Sequence, residues 1–414
     1  MKRPLSGVER MMYLNSGSPN AFTGARIRGP LDEAKLRRSL DQLQRRHPLL
    51  GARVIREQDG LTFTTEAVPP IPLRLTSDDG SGQSFLKVVA EERATPLNRT
   101  TGPLVRFTLV RHPDGESTDV ILTLDHAIGD GTSCVYAIRD LLTFHQAPEL
   151  ESGPATLPPP FTQVIPASLS DAGVPSQGAH PSTFSASPST FSASTTDFML
   201  VSAELGREPL QVLVQRCKEQ GVTVHAAVCA AFGAAFAALF EKKTSVTISS
   251  PVNCRPRLDP SVREAFHCAV AFSRVHVDVS PERAFWEQAH AVRQQLLEGT
   301  TDQKLFGPLA TIEAAHRAER DDAQFLRRVH QNGESHDISI TNLGRQPIPS
   351  RYGDLTIEAV YGGTGLPGEI VIGLWTVDDT MHVTLFTNGL SREENDAIRA
   401  MVAPALSRLR MLPS

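Results

Sequence analysis

A low-complexity run from about Glu149 to Thr196 divides the chain. It is dominated by Pro, Ser, Thr, Ala and Gly and carries PSTFSAS twice in succession, at 181–187 and 188–194. Such a segment cannot bury enough apolar surface to offset the entropy lost on ordering it, which predicts an exposed connector. The tandem copy reads as a tolerated expansion, not a repeat fold. Any core must come from the flanks, and 414 residues at about 150 per domain suit more than one core. The organisation expected is an N-terminal lobe over 1–148, a linker over 149–196 and a C-terminal lobe over 197–414.

In the first flank, Pro30 and Asp32 open a helix whose Leu36, Leu40 and Leu43 share one face, and Pro48 ends it. GARVIRE and LTFTTE read as a hairpin across Asp59-Gly60. SFLKVVAEERAT is a helix. LVRFTLVR and TDVILTLDH are strands around Pro113-Asp114-Gly115, and GTSCVYAIRDLLTFH is the next helix. In the second flank PLQVLVQRCKEQG is a helix closed by Gly221. The apolar VTVHAAVCAAFGAAFAALFEKK fits a helix buried in a soluble core better than a lipid span.

TSVTISSPVNCRPRLD, CAVAFSRVHVDV, HDISITNLG, LTIEAVYGG, EIVIGLWTVDD and MHVTLFTN read as strands. PERAFWEQAHAVRQQLLEG and AHRAERDDAQFLRRVHQNG read as amphipathic helices, and SREENDAIRAMVAPALSRL as a helix entered through the capping box Ser391-x-x-Glu394. Both flanks mix helices and strands without the regular alternation of a Rossmann or TIM fold, so the fold class expected is α+β.

Lys and Arg number 41 against 46 Asp and Glu, a formal charge of -5 with no basic block. Neutralising a phosphate backbone needs a concentrated positive surface, so nucleic acid is not an expected partner. MKRPLSGVERMMYLNSG has no continuous apolar region to serve as a secretion signal, which predicts a cytoplasmic protein without integral membrane association. Five cysteines, Cys134, Cys217, Cys229, Cys254 and Cys268, contain no CxxC pair. Free buried thiols in a reducing compartment follow.

The chemistry concentrates in LDHAIGDGTS, where a strand end, a tight polar loop and a helix start coincide around Asp125, His126, Asp130 and Gly131. A strand's end can aim one polar side chain into a cleft. Gly129 and Gly131 allow a sharp turn and a close approach of backbone, and Thr132 or Ser133 could cap the helix. A neutral imidazole at position 126 can take a proton from a hydroxyl or an attacking amine. The residues alone also permit a structural or surface histidine. Asp130 can orient the loop or ring, or pair with an arginine. No second histidine stands at a metal-binding interval, so no metal is expected. No G-x-S-x-G elbow, dinucleotide fingerprint or P-loop is present.

LDHAIGDGTS resembles the HHxxxDG signature of the chloramphenicol-acetyltransferase-like superfamily, which includes nonribosomal-peptide condensation domains, wax-ester synthases and polyketide-associated Pap acyltransferases. PLSGVERMMY, RRHPLLGARV, PLNRTTGPLVRFTLV, GVTVHAAVCAAFGAAF, SSPVNCRPRL and ISITNLGR resemble further pieces of these proteins in order. The free-standing, ester-forming Pap branch resembles the chain most. The resemblance implies two related lobes with an active-site tunnel between them. It places the motif's second histidine, the general base, on His126. It places the motif aspartate on Asp130, with Arg255 as its ion-pair partner, and the motif glycine on Gly131. Asp125 stands where the first histidine is expected, which removes the usual support of the ring. Asn253, Ser339 and Asn342 are candidate tunnel or substrate contacts, and a purely structural use of the two asparagines is the weightier alternative. His47 reads as a helix-end residue, His225 as a packed histidine, and Trp286 and Trp375 as packing.

The reaction implied moves an acyl group from an acyl-CoA or a phosphopantetheinyl acyl carrier protein to a hydroxyl, with no bound cofactor and no acyl-enzyme. It would serve polyketide, lipid or other secondary metabolism, in a monomer that meets a carrier protein and a small-molecule or carrier-bound acceptor. N-acylation or amide-forming condensation is the alternative. An inactive carrier-protein interaction module of the same fold is a third reading, and an epimerase a weaker one.

Overall fold

The computed structural model describes residues 1–15, 21–80, 84–150, 155–165, 198–280, 282–330, 335–346, 348–364 and 368–411. Most of the 149–196 run, with its tandem PSTFSAS, lies outside the described residues. Before it come β1 (Lys2–Pro4), α1 (Gly7–Asn15), β2 (Ala21–Arg28), α2 (Glu33–Arg46), β3 (Arg53–Glu57), β4 (Gly60–Thr64), β5 (Leu73–Ser77), α3 (Ser84–Ala94), β6 (Val105–Arg111), β7 (Ser117–Leu124) and α4 (Gly131–Gln146). After it come β8 (Phe198–Leu205), α5 (Arg207–Glu219), α6 (Val224–Ala237), β9 (Ser245–Asn253), β10 (Val270–Asp278), α7 (Phe285–Gly299), α8 (Asp302–Ala318) and α9 (Asp322–His330). The chain closes with β11 (Ile338–Arg345), β12 (Arg351–Tyr352), β13 (Leu355–Gly363), β14 (Ile370–Val377), β15 (Thr380–Asn388), α10 (Arg392–Ala400) and α11 (Val402–Arg410).

Two six-stranded sheets form the frame, in the orders β12-β13-β2-β7-β6-β5 and β10-β9-β11-β14-β15-β8, beside a small sheet β1-β4-β3. The first sheet is antiparallel apart from the β5–β6 pair. In the second, β11 runs parallel to both of its neighbours. β7 is buried along its whole length, which accounts for the consecutive apolar residues Val120, Ile121 and Leu122: a strand covered on both faces need not alternate. The fold is α+β, as the mixture of periods predicts.

The two flanks are not separate cores. β12 and β13, from the second flank, pair onto β2 and complete the first sheet. Leu305, Phe306, Leu309 and Ile312 of α8 and Phe325 of α9 join the apolar core of the first flank, beneath α1. A division at 149–196 therefore follows the chain, while packing follows the sheets. A small cluster of Phe22, Leu200, Tyr361 and Phe386 ties the sheets together, with Phe22 and Phe386 edge-to-face at 5.8 Å.

Several local expectations are refined. The helix expected over AHRAERDDAQFLRRVHQNG is two, because Asp321 accepts from the Gln324 N–H and starts a new one. The last helix breaks at Met401, since Pro404 has no N–H to offer the preceding turn. The cap of α4 is Asp130, not Thr132 or Ser133. Gly221 does close its helix, at φ +62° with the Val222 N–H on the Cys217 carbonyl. Ser391 and Glu394 form the expected capping box. Five free cysteines are all buried. Among the described residues no single helix is long and apolar enough to cross a membrane.

Gly24 of β2 lies opposite Tyr361 of β13, and a Cβ on Gly24 would come within 2.2 Å of the Tyr361 ring. The phenol thus covers the bare backbone where the two flanks join. Gly24→Ala should lower stability by about 1–3 kcal/mol through overpacking, read as a lower urea midpoint, and Gly24→Ala/Tyr361→Leu should recover part of the loss.

Candidate active site

β7 ends at Leu124, and the next six residues form the turn that leads into α4. Asp130 holds this turn. Its Oδ1 accepts from the Ser133 N–H at 2.9 Å, and its Oδ2 accepts from Arg255 Nη1 at 2.8 Å and from the Ala269 N–H at 2.9 Å. Arg255 Nη2 also donates to Ser133 Oγ at 2.8 Å and to the His267 carbonyl at 2.6 Å. Both charges are buried. Burial opposes ionisation of Asp130, yet the guanidinium and the two N–H groups hold its pKa down to about 2. Arg255 follows β9 and Ala269 precedes β10, so this cluster fastens the first flank to the second.

Close backbone approach completes the join. A Cβ on Gly129 would lie 2.4 Å from Phe266 Cε1, and one on Gly131 would lie 3.1 Å from Leu343 Cδ1. Gly129 is therefore the more tightly constrained of the two, although only Gly131 belongs to the motif.

Asp125 is buried at the start of the turn and both of its oxygens are engaged. Oδ2 pairs with Arg99 Nη2 at 2.5 Å, and Oδ1 accepts from the Ala127 N–H at 3.0 Å. The Arg99 guanidinium also lies 4.2 Å above the Tyr13 ring. Burial raises the Asp125 pKa, and Arg99 and the Ala127 N–H work against that rise. Asp125 thus fixes the backbone on either side of His126. Arg99 was not legible as a site residue: a lone arginine 26 positions before its partner leaves no local pattern.

His126 itself is half-buried and faces a cavity of about 190 Å³. Phe22, Leu124 and Asp130 come to its wall from the first flank, and Ser249, Asn253, Ser339, Asn342 and Trp375 from the second. The neighbour of its Nδ1 is Cys268 Sγ, at 4.0 Å. Burial pushes the Cys268 thiol well above its usual pKa, so it stands beside the imidazole as a neutral thiol.

Ser339 and Ser249 are register partners across the parallel pair β11–β9. Asn253 lies at the exposed end of β9, and its Oδ1 accepts from the Arg255 N–H at 3.1 Å. Asn342 Oδ1 accepts from the Gly344 N–H at 2.8 Å, where β11 bulges. Both asparagines line the cavity while holding turns with their carbonyl oxygens. His336 and Glu369, which sequence reasoning passed over, also line it, with 3.9 Å between Nε2 and Oε1. His225 hydrogen-bonds Ser250 at 2.9 Å, and burial lowers its pKa to about 4. His47 ends α2 and meets Asp140 at 2.9 Å. Among the described residues no cluster of three or more His, Cys, Asp or Glu could hold a metal ion.

The chain matches the family model described as phthiocerol/phthiodiolone dimycocerosyl transferase C-terminus over residues 195–367. The trichothecene 15-O-acetyltransferase TRI3 from Fusarium sporotrichioides superposes with a TM-score of 0.77 at 13% identity, covering 99% of this chain and 95% of that one. Polyketide synthase associated protein 5 from Mycobacterium tuberculosis gives 0.68 at 15% identity, covering 98% of each. The first condensation domain of the calcium-dependent antibiotic synthetase gives 0.71 at 17% identity, covering 100% and 96%. The chain shares the fold of condensation domains and chloramphenicol-acetyltransferase-like enzymes over its full length, and its residues 195–367 match that transferase family's model.

At these identities the solved structures establish a common fold. In sequence, phosphinothricin tripeptide synthetase PhsC from Streptomyces viridochromogenes is 30% identical over 169 residues, 38% of this chain and 15% of that protein. A linear gramicidin synthase from Brevibacillus parabrevis is 25% identical over 331 residues, 73% of this chain and 4% of that protein. The chain spans a small fraction of the length of these curated relatives.

Removing one member of a buried ion pair strands the other charge, at a cost of about 3–5 kcal/mol. Arg255→Met should lower stability by that order in urea denaturation. Asp130 has a folded pKa below its unfolded value, so its stabilisation is present above the unfolded pKa of about 3.9 and is lost as pH falls towards 2. That loss, about 2 kcal/mol by linkage, should be missing from the acid unfolding profile of Asp130→Asn.

Proposed function

We propose that the protein transfers an acyl group from a CoA or carrier-protein thioester to a hydroxyl, with His126 as general base. The main support is the position of His126: a half-buried imidazole on the wall of a cavity shared by both flanks, on a turn pinned by the Asp130–Arg255 pair. The acceptor hydroxyl would give its proton to the imidazole as its oxygen attacks the thioester carbonyl. The same proton then passes to the departing thiolate, so the base is regenerated and no covalent enzyme intermediate is needed. Two flanks that meet around one cavity suit a reaction that must admit a donor and an acceptor together.

Asp125 in place of a histidine does not argue against activity on this reading. The ion pair with Arg99 and the bond from the Ala127 N–H supply backbone support from both sides of His126. A second reading, amide-forming condensation, is favoured by the peptide synthetases among the sequence relatives. It uses the same base on an amine and differs only in the acceptor. A thioester donor implies a CoA or carrier-protein partner, and the chain is placed in secondary metabolism on the same grounds.

His126→Ala should fold with an unchanged urea midpoint and lose turnover by about 10²- to 10⁴-fold, the usual value of a general base. Intact-mass detection of transfer from a panel of acyl-CoAs and acyl carrier proteins to pooled alcohols and amines reads both the loss and the product class. Transfer indifferent to the substitution would move the base to a different site, and no transfer by the native protein across the panel would move the reading to a carrier-protein interaction module.

A further inference from the structure

Every polar group of Asp125 is engaged. Its N–H donates to the Leu104 carbonyl at 3.0 Å, and its carbonyl accepts from the Ile128 N–H at 3.1 Å, which closes a turn with His126 and Ala127 as its central pair. Oδ1 accepts from the Ala127 N–H inside that turn, the bond by which a short acidic side chain locks local backbone. Oδ2 remains, and Arg99 Nη2 donates to it at 2.5 Å. His126 is thus the first central residue of a turn whose leading residue is held from outside by a guanidinium. The direction in which its imidazole leaves the backbone follows from that turn.

Arg99 is itself held. It stands between α3 and β6 on a turn in which Asn98 Oδ1 accepts from the N–H groups of Thr100 and Thr101 at 3.1 and 3.0 Å, and Arg53 Nη1 donates to the Thr100 carbonyl at 3.0 Å. Its guanidinium lies 4.2 Å over the Tyr13 ring, a cation–π contact. Tyr13 belongs to α1, between Met12 and Asn15, and those two residues line the cavity with His126. The Asp125 side chain is 1% exposed and that of Arg99 29%, so the carboxylate depends on the arginine more than the arginine on it. A pair that only stabilised the fold could stand anywhere along β7. This one meets the chain at the residue before the base.

We infer that Arg99 is a positioning residue for His126: through Asp125 it fixes the angle at which the imidazole enters the cavity, and through Tyr13 it ties that angle to α1. The inference rests on the acyl-transfer reading for its consequence in turnover, while the orientation of the ring is measured without turnover. Misplacing a reacting group by about 1 Å can cost about 10²-fold in rate. Substrate affinity has no reason to follow, since among the described residues Arg99 is not part of the cavity wall.

With an NMR label at histidine Cε1, the native and His126→Ala spectra pick out His126 among the 13 histidines. Its resonance should move or split in Arg99→Leu and return towards the native position in Arg99→Lys, which keeps the charge. Tyr13→Phe keeps a ring under the cation and should leave the resonance in place, whereas Tyr13→Leu, which removes no charge, should move it. Turnover with butyryl-CoA as donor and pooled alcohols as acceptors should show kcat lowered about 10- to 100-fold in Arg99→Leu at unchanged KM, with part of the loss regained in Arg99→Lys. Adding Asp125→Asn should cost no more than Arg99→Leu alone, because both substitutions act on one turn.

The pH profile carries a further sign. Burial raises the Asp125 pKa, and Arg99 and the Ala127 N–H oppose that rise. The groups facing the carboxylate are Arg99, His126 and Tyr13, with Arg56 beyond Tyr13. Without Arg99 the buried carboxyl takes a proton at higher pH than in the native protein. The kcat of Arg99→Leu should therefore fall further as pH drops, and Arg99→Leu/Asp125→Asn should lack that added fall.

A His126 resonance unmoved in Arg99→Leu overturns the inference, as does a lower urea midpoint with kcat intact: both describe a pair that only stabilises the fold. So do losses from Arg99→Leu and Asp125→Asn that multiply, or a loss carried by KM. If Arg99→Leu does not fold, Tyr13→Leu against Tyr13→Phe still decides whether the stack sets the ring. Resonances that follow the expected pattern in a protein that transfers nothing sink the acyl-transfer reading and leave the role of Arg99 in place.

Discussion

Asp130 and Arg255 are 125 residues apart, and both are taken out of water where the two flanks meet. Burying two charges costs several kcal/mol per ion unless hydrogen bonds satisfy what the pair leaves over. Here the carboxylate takes three bonds and the guanidinium reaches Ser133 and the His267 carbonyl as well. The arrangement closes only when the α4 turn, the end of β9 and the start of β10 are all in place. The turn that carries His126 is therefore held by long-range contacts as well as by its own local bonds.

The sheets reinforce the same dependence. β13 leaves the second flank to lie on β2, and β14 returns at once to the second sheet. The cavity sits where this exchange happens, with Gly362 and Gly363 from one sheet and Gly373 and Trp375 from the other. Glycines at that crossing remove side-chain volume where aromatic rings must pass, Tyr361 over Gly24 and Trp375 over Gly373. A site built this way has walls from both flanks and is coupled to their packing.

Much of the secondary structure was legible because it obeys local rules. The Asp59-Gly60 and Pro113-Asp114-Gly115 turns, the Ser391 capping box and the Gly221 helix end are all short-range chemistry. β2, β5 and β8 escaped notice for physical reasons. β2 is an interior strand interrupted by Gly24, β5 is a half-exposed edge strand, and β8 follows directly on low-complexity sequence. Arg99 escaped for a different one: its meaning lies in Asp125 and Tyr13, which reach it only in the folded chain.

The sequence alone determined the α+β class, the place of the polar turn between β7 and α4, and the residues His126, Asp130 and Gly131 within it. These are matters of residue type and spacing, and the chain carries them before it folds. Only the tertiary structure decided that the second flank completes the first sheet, that Asp125 is matched by Arg99, and that Gly129 lies against Phe266. It also wedged the Trp375 indole against Gly362 and Gly373, where the two sheets meet. Those facts depend on which surfaces meet across hundreds of residues, and no local pattern encodes the meeting.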